Sequence, residues 1–144
     1  MSISLERRLE EIQRLFDNLI TEAARGTPII VEGLNDKLSL ERLEVKGDIL
    51  SAKTSGKSLL DVLKEIENRG KDEIILLLDF DKRGKEMTSH LAKNLENRRI
   101  KVNLIFWKRL LSLVGRDVKD IEGLATYIQT LNRKMGKNTS NLKY

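Results

Sequence analysis

A chain of 144 residues, 40% hydrophobic and 34% charged, reads as a single soluble globular domain with its own core and excludes a disordered or a membrane-spanning class. A formal net charge of +5 leans toward polyanionic partners, nucleic acid first. The absence of cysteine excludes disulfides, thiolate zinc sites and cysteine nucleophiles, and the single histidine, His90, excludes a histidine-rich centre. Any metal is then a hard cation on oxygen ligands.

Residues 4–25 predict a helix, with Leu5, Leu9, Ile12, Phe16, Leu19 and Ala23 three or four apart, Ser4 as N-cap, and Gly26 and Pro28 marking its end. Its apolar stripe suits packing on the rest of the chain; a protein partner or a second copy on the same stripe is the alternative. "PIIVEG" (28–33) is a short buried strand closed by glycine, followed by a helix capped by Asn35 and running to about Leu43. "DILSAK" (48–53) is a second strand, and Ser58 caps a helix over 59–69. "EIILLLDF" (73–80), a continuous apolar run, suits the middle of a parallel sheet. A helix follows from about Gly84 to Arg99, then a fourth strand "KVNLIFW" (101–107), two helical stretches and a basic tail with Arg133, Lys134, Lys137 and Lys143. This alternation predicts an α/β, Rossmann-like fold: a central four-stranded parallel sheet flanked by helices, with an N-terminal helix. No apolar run approaches the ~18 residues that cross a bilayer, and no signal-like segment opens the chain, so a cytoplasmic location without a membrane partner is expected.

Ligands of open parallel sheets bind outside the carboxyl ends of the strands. Two strands end there in acids: the first in Glu32, followed by Gly33 and Asp36, and the third in Asp79 and Asp81, followed by Gly84. Phe80 alternates between the two aspartates, which places Asp79 and Asp81 on one side. Carboxylates gathered at one rim repel one another unless a cation or a proton intervenes, and Mg2+ fits, taking one or two carboxylates while keeping waters and phosphate oxygens. The plainer alternative is that these acids cap the helices that follow.

The stretches "PIIVEGLNDKLSLERL" and "ILLLDFDKRGKEM" resemble the Toprim domain, shared by topoisomerases, bacterial-type primases, some ATP-dependent nucleases and the 5S ribosomal RNA maturation nuclease. The resemblance covers roughly residues 27–122, which leaves 1–26 as an N-terminal amphipathic helix and 123–144 as a C-terminal helix and tail. It implies a general acid or base at Glu32 and Mg2+, with Mn2+ as its substitute, held by Asp79 and Asp81 together with Glu32. Lys37, Lys82 and Arg83 flank the motifs as phosphate contacts, and Gly33, Asp36 and Gly84 complete the motif positions. The chain has no room for a topoisomerase's tyrosine module, a primase's zinc module or an ATPase, so a small stand-alone protein of archaeal type is expected.

Other signals weigh less. "TSGKSLL" (54–60) lacks the first glycine of a P-loop, since Ser51 stands there. Asp117, Asp120 and Glu122 suit the first turn of the last helix, with a second-metal or substrate contact by Asp117 or Asp120 as the alternative. Trp107 beside Lys108 and Arg109 reads as core, with base stacking as the alternative. The leading expectation is a Mg2+-dependent nuclease or phosphodiester-transfer enzyme acting on RNA, or on DNA. The alternative is a non-catalytic nucleic-acid-binding or scaffold subunit of an RNA-processing or replication complex.

Overall fold

The computed structural model describes residues 4–53 and 56–136; Lys137 and Lys143 of the basic tail lie outside the described residues. Six helices alternate with four strands: α1 (Leu5–Ala24), β1 (Ile29–Val31), α2 (Leu34–Arg42), β2 (Ile49–Ser51), α3 (Leu59–Asn68), β3 (Glu73–Leu76), α4 (Lys82–Asn97), β4 (Lys101–Asn103), α5 (Ile105–Val114) and α6 (Leu124–Lys134). The strands form one parallel sheet in the order β2-β1-β3-β4.

Side chains of successive strand residues point to opposite faces, and this divides the core in two. Ile29, Val31, Ile75 and Leu77 face the side covered by α1, α2, α5 and α6, where they meet Phe16, Leu19, Leu40, Leu110 and Ile128. Ile30, Ile74, Leu76 and Leu78 face α3 and α4, against Leu63, Ile66, Leu91 and Leu95. Each such side chain, fully removed from water, contributes about 1.5–3 kcal/mol. The result is a three-layer α/β/α sandwich, as the alternation predicts.

The stripe of α1 is spent inside the chain: Leu9, Ile12, Phe16, Leu19 and Ala23 are all buried beneath α5, α6 and the sheet. A partner or second copy docking on that stripe is therefore ruled out, and any contact through α1 would have to use another face. The caps at Ser4 and Ser58 form as expected, each hydroxyl accepting a backbone N–H from the first turn. Gly26 takes φ +96° in the turn after α1, a conformation that favours glycine.

The first three strands are shorter than expected, β3 ending at Leu76 rather than at Phe80, and three further boundaries differ for a local reason. The N-cap of α2 is Gly33 rather than Asn35; glycine has no capping side chain, and Asp36 reaches back to accept the Gly33 N–H at 2.9 Å. α4 begins at Lys82, two residues early, because Asp81 caps it. The fourth strand stops at Asn103, whose Oδ1 accepts the Ile105 N–H at 2.9 Å and turns the chain into α5. "IFW" is thus the first turn of a helix, with Phe106, Trp107, Leu110 and Val114 on its buried side. No helix among the described residues is long and apolar enough to cross a membrane.

Candidate functional site

β1 and β3 are neighbours, but the chain leaves β1 for α2 on one face and β3 for α4 on the other. The crevice at their carboxyl ends is the switch point of the sheet, where open α/β folds take ligands. The N-termini of α2 and α4 both start at this edge, each with its first turn capped by a carboxylate.

Glu32 follows β1 directly and is buried, 6% exposed. Its Oε1 accepts the Asp79 N–H at 3.3 Å, and its Oε2 accepts from Lys53 Nζ at 3.0 Å. Its main-chain carbonyl accepts the Lys53 N–H and the Ser51 hydroxyl, which carries the β1–β2 pairing out to the rim. Asp36 is equally buried, and desolvation raises its pKa against the opposing backbone N–H groups of Gly33 and Glu122.

Asp79 is the most perturbed group. Burial first, then the charges of Glu32 and Asp36, push its pKa up to about 7. Its Oδ1 is buried and has no hydrogen-bond partner. Trp107 holds the strand end that carries it: the indole Nε1 donates to the Leu78 carbonyl at 2.9 Å, and the ring lies against Phe80 with centroids 6.4 Å apart. From the other side, the Phe80 N–H donates to the Lys119 carbonyl at 2.7 Å, which docks the α5–α6 loop on the same edge.

The other sequence candidates divide. Asp120 reaches the rim: its charge raises both Asp36 and Asp79, and its Oδ1 accepts the Gly123 N–H at 2.8 Å. Asp117 stands apart, accepting from the Tyr127 hydroxyl at 2.7 Å and from Arg8 at 3.3 Å in a clasp between α1 and α6. Asp81 is exposed and turned to the helix, its Oδ1 accepting the Gly84 N–H at 2.7 Å. Among the described residues, no three acids or imidazoles are gathered closely enough to form a ready-made metal cluster. The backbone thus brings Glu32, Asp36, Asp79 and Asp120 to one edge, while the carboxylates of Asp81 and Asp117 are engaged elsewhere.

Gly84 is required by close approach: a Cβ there would run into the Asp79 carbonyl oxygen. Lys82 and Arg83 are exposed on the first turn of α4 and Lys37 is half-buried on α2; none of the three has an ion-pair partner among the described residues. Lys53 is the residue that sequence reasoning passed over. The signal was available, since Lys53 lies just past the carboxyl end of a strand adjacent to β1.

The donor set fits a hard cation. Every candidate ligand is a carboxylate oxygen, and Asp79 Oδ1 is a buried acceptor that a proton or a cation would satisfy.

Residues 26–106 match the Toprim domain family. Over 130 residues, the chain is 34% identical to a UPF0292 protein of Methanosarcina barkeri, covering 90% of this chain and 89% of that one. A UPF0292 protein of Methanocaldococcus jannaschii is 35% identical over 120 residues, 83% of this chain and 91% of the relative. Among solved structures, a putative protein from Aquifex aeolicus superposes with a TM-score of 0.63 at 26% identity, over 76% of this chain and 94% of that one.

Proposed function

The chain belongs to the Toprim domain family, and on that premise we propose that it is a Mg2+-dependent enzyme cleaving phosphodiester bonds of nucleic acid, RNA before DNA. The observation that carries this reading is Asp79: a half-buried carboxyl beside Glu32, with one buried oxygen lacking any partner, at the switch point of the sheet. Glu32 and Asp79 are the residues to hold Mg2+ or Mn2+, with Asp81 as a third ligand if it leaves the α4 cap. When bound, the cation polarises a phosphate oxygen and offsets the charge that develops on it. Glu32, held between a backbone N–H and an ammonium, would take or give a proton at the reacting oxygen. Lys37, Lys82 and Arg83, with the N-termini of α2 and α4, suit the flanking phosphates.

Purified protein given structured RNA, or DNA, with Mg2+ or Mn2+ is expected to cleave it. Glu32→Gln should slow cleavage by about 10²–10⁴-fold, the usual worth of a general acid or base. Undiminished cleavage by Asp79→Asn/Asp81→Asn would overturn the reading.

A second reading, a module that holds cation and nucleic acid without turnover, is favoured by the engagement of Asp36 and Asp81 in helix caps. Mg2+-dependent binding of nucleic acid with no product would select it.

A further inference from the structure

The rim gathers more negative charge than its own cations neutralise. Glu32, Asp36, Asp79 and Asp120 act on one another, yet among the described residues Lys53 alone forms an ion pair with any of them. Lys53 is no wandering surface lysine. Its N–H is bonded to the Glu32 carbonyl at 2.7 Å, and that of Ala52 to the Val31 carbonyl at 2.9 Å, so the ladder fixes its register against Glu32. The two side chains differ in freedom: that of Lys53 is 39% exposed, that of Glu32 8%. The ammonium can swing to water, whereas the carboxylate stays buried.

The two oxygens of Glu32 are unequally committed. Oε1 takes the Asp79 N–H, a bond within the strand ends. Oε2 takes the Lys53 ammonium, and the Glu32 carboxyl also meets that of Asp79. A cation held by Glu32 and Asp79 would compete with the Lys53 ammonium for the Glu32 carboxylate.

We propose that Lys53 is the resident counter-cation of this rim in the metal-free chain and yields Glu32 Oε2 to a divalent cation when one binds. The inference rests on the metal reading of the site given above and adds a positioning residue that exchanges with the ion. Two like charges do not share one carboxylate oxygen without cost, so Lys53 opposes metal binding while it steadies the metal-free fold.

The test is thermal melting of metal-free protein together with calorimetric Mn2+ titration at pH 7, for wild type, Lys53→Met, Lys53→Arg and Lys57→Met. Lys57 is the control for bulk charge, because its Nζ bonds the Ser51 carbonyl and Glu65 rather than a rim acid. Lys53→Met is expected to melt lower without metal yet to bind Mn2+ about fivefold or more tightly, the lower end of ordinary coupling between two ligands. Lys53→Arg, which keeps the charge, should stay near wild type, and Lys57→Met should keep wild-type affinity. In a Glu32→Gln background, Lys53→Met should no longer lower the metal-free midpoint.

Unchanged or weaker Mn2+ binding by Lys53→Met, or equal tightening by Lys57→Met, overturns the exchange alone. An undiminished effect of Lys53→Met on the midpoint in the Glu32→Gln background overturns the pairing. Wild-type protein that binds no divalent cation overturns the metal reading of the site and the exchange with it.

Discussion

Asp79 and Asp36 set an unusual pH dependence for a protein with this many acids. Asp79 has an ordinary pKa of 3.8 and titrates near 7 when folded, so between those values the folded chain keeps a proton that the unfolded chain has lost. The stability this proton contributes is complete below about pH 4 and is lost as pH rises through about 7. Metal-free protein is therefore expected to need less urea to unfold at pH 8 than at pH 5. Asp79→Asn should flatten most of that slope, leaving the smaller share of Asp36, which is raised for the same reason. Asp61 and Asp117, lowered by hydrogen bonds from Ser58 and Tyr127 respectively, act in the opposite sense in a more acidic window. A second residue-scale prediction concerns Gly84. Gly84→Ala forces a methyl onto the Asp79 carbonyl and should cost about 1–3 kcal/mol by denaturant melts, the range of overpacking. At this scale the residue types and their rim were legible in the sequence, because strand ends are marked by where apolar runs stop. The direction of each carboxylate was not. Asp81 caps α4 because the first backbone N–H groups of that helix lack acceptors of their own, a local demand that a D-x-D pattern does not reveal.

The elements followed the sequence wherever one periodicity ruled alone. α1 and α3 show a clean stripe and a serine cap, and both form where their spacing places them. The failure at "KVNLIFW" came from a run whose apolar residues fit a strand and a helix equally well. Asn103, a polar residue with a side chain able to bond two residues on, decided the matter. The consequence is that Trp107 belongs to α5 and ties that helix to the end of β3. Trp107→Phe keeps most of the packing but leaves the Leu78 carbonyl buried without its donor. It should cost about 1–3 kcal/mol in stability, the penalty for an orphaned buried group. It should also weaken Mn2+ binding, since the freed carbonyl is one residue from Asp79. Unchanged affinity in a stably folded Trp107→Phe would show that α5 does not position the rim.

At the scale of the whole molecule, Glu32 and Asp79 are 47 positions apart in the chain and meet only because β3 pairs beside β1. The intervening α2, β2 and α3 build one flank of the site, and β2 supplies Lys53 just beyond its end. Such non-local closure is the part of a fold that a linear reading recovers least well, since pairing order is not written in any single segment. What made it recoverable was topology: a parallel sheet with right-handed crossovers leaves few orders open. The helices that close the far side, α1, α5 and α6, share one core with the sheet, so the site rests on a scaffold that uses nearly the whole described chain.

The tie between Trp107 and Leu78 has a practical side. The chain contains a single tryptophan, and its indole is bonded to the residue preceding Asp79 and lies against the residue following it. The molecule therefore carries an intrinsic optical probe beside its own candidate cation site. Titrating Mg2+ into unlabelled wild-type protein should change the indole emission in a saturable way, and Asp79→Asn should leave the spectrum flat. Emission that does not move while calorimetry records binding would place the ion away from Asp79.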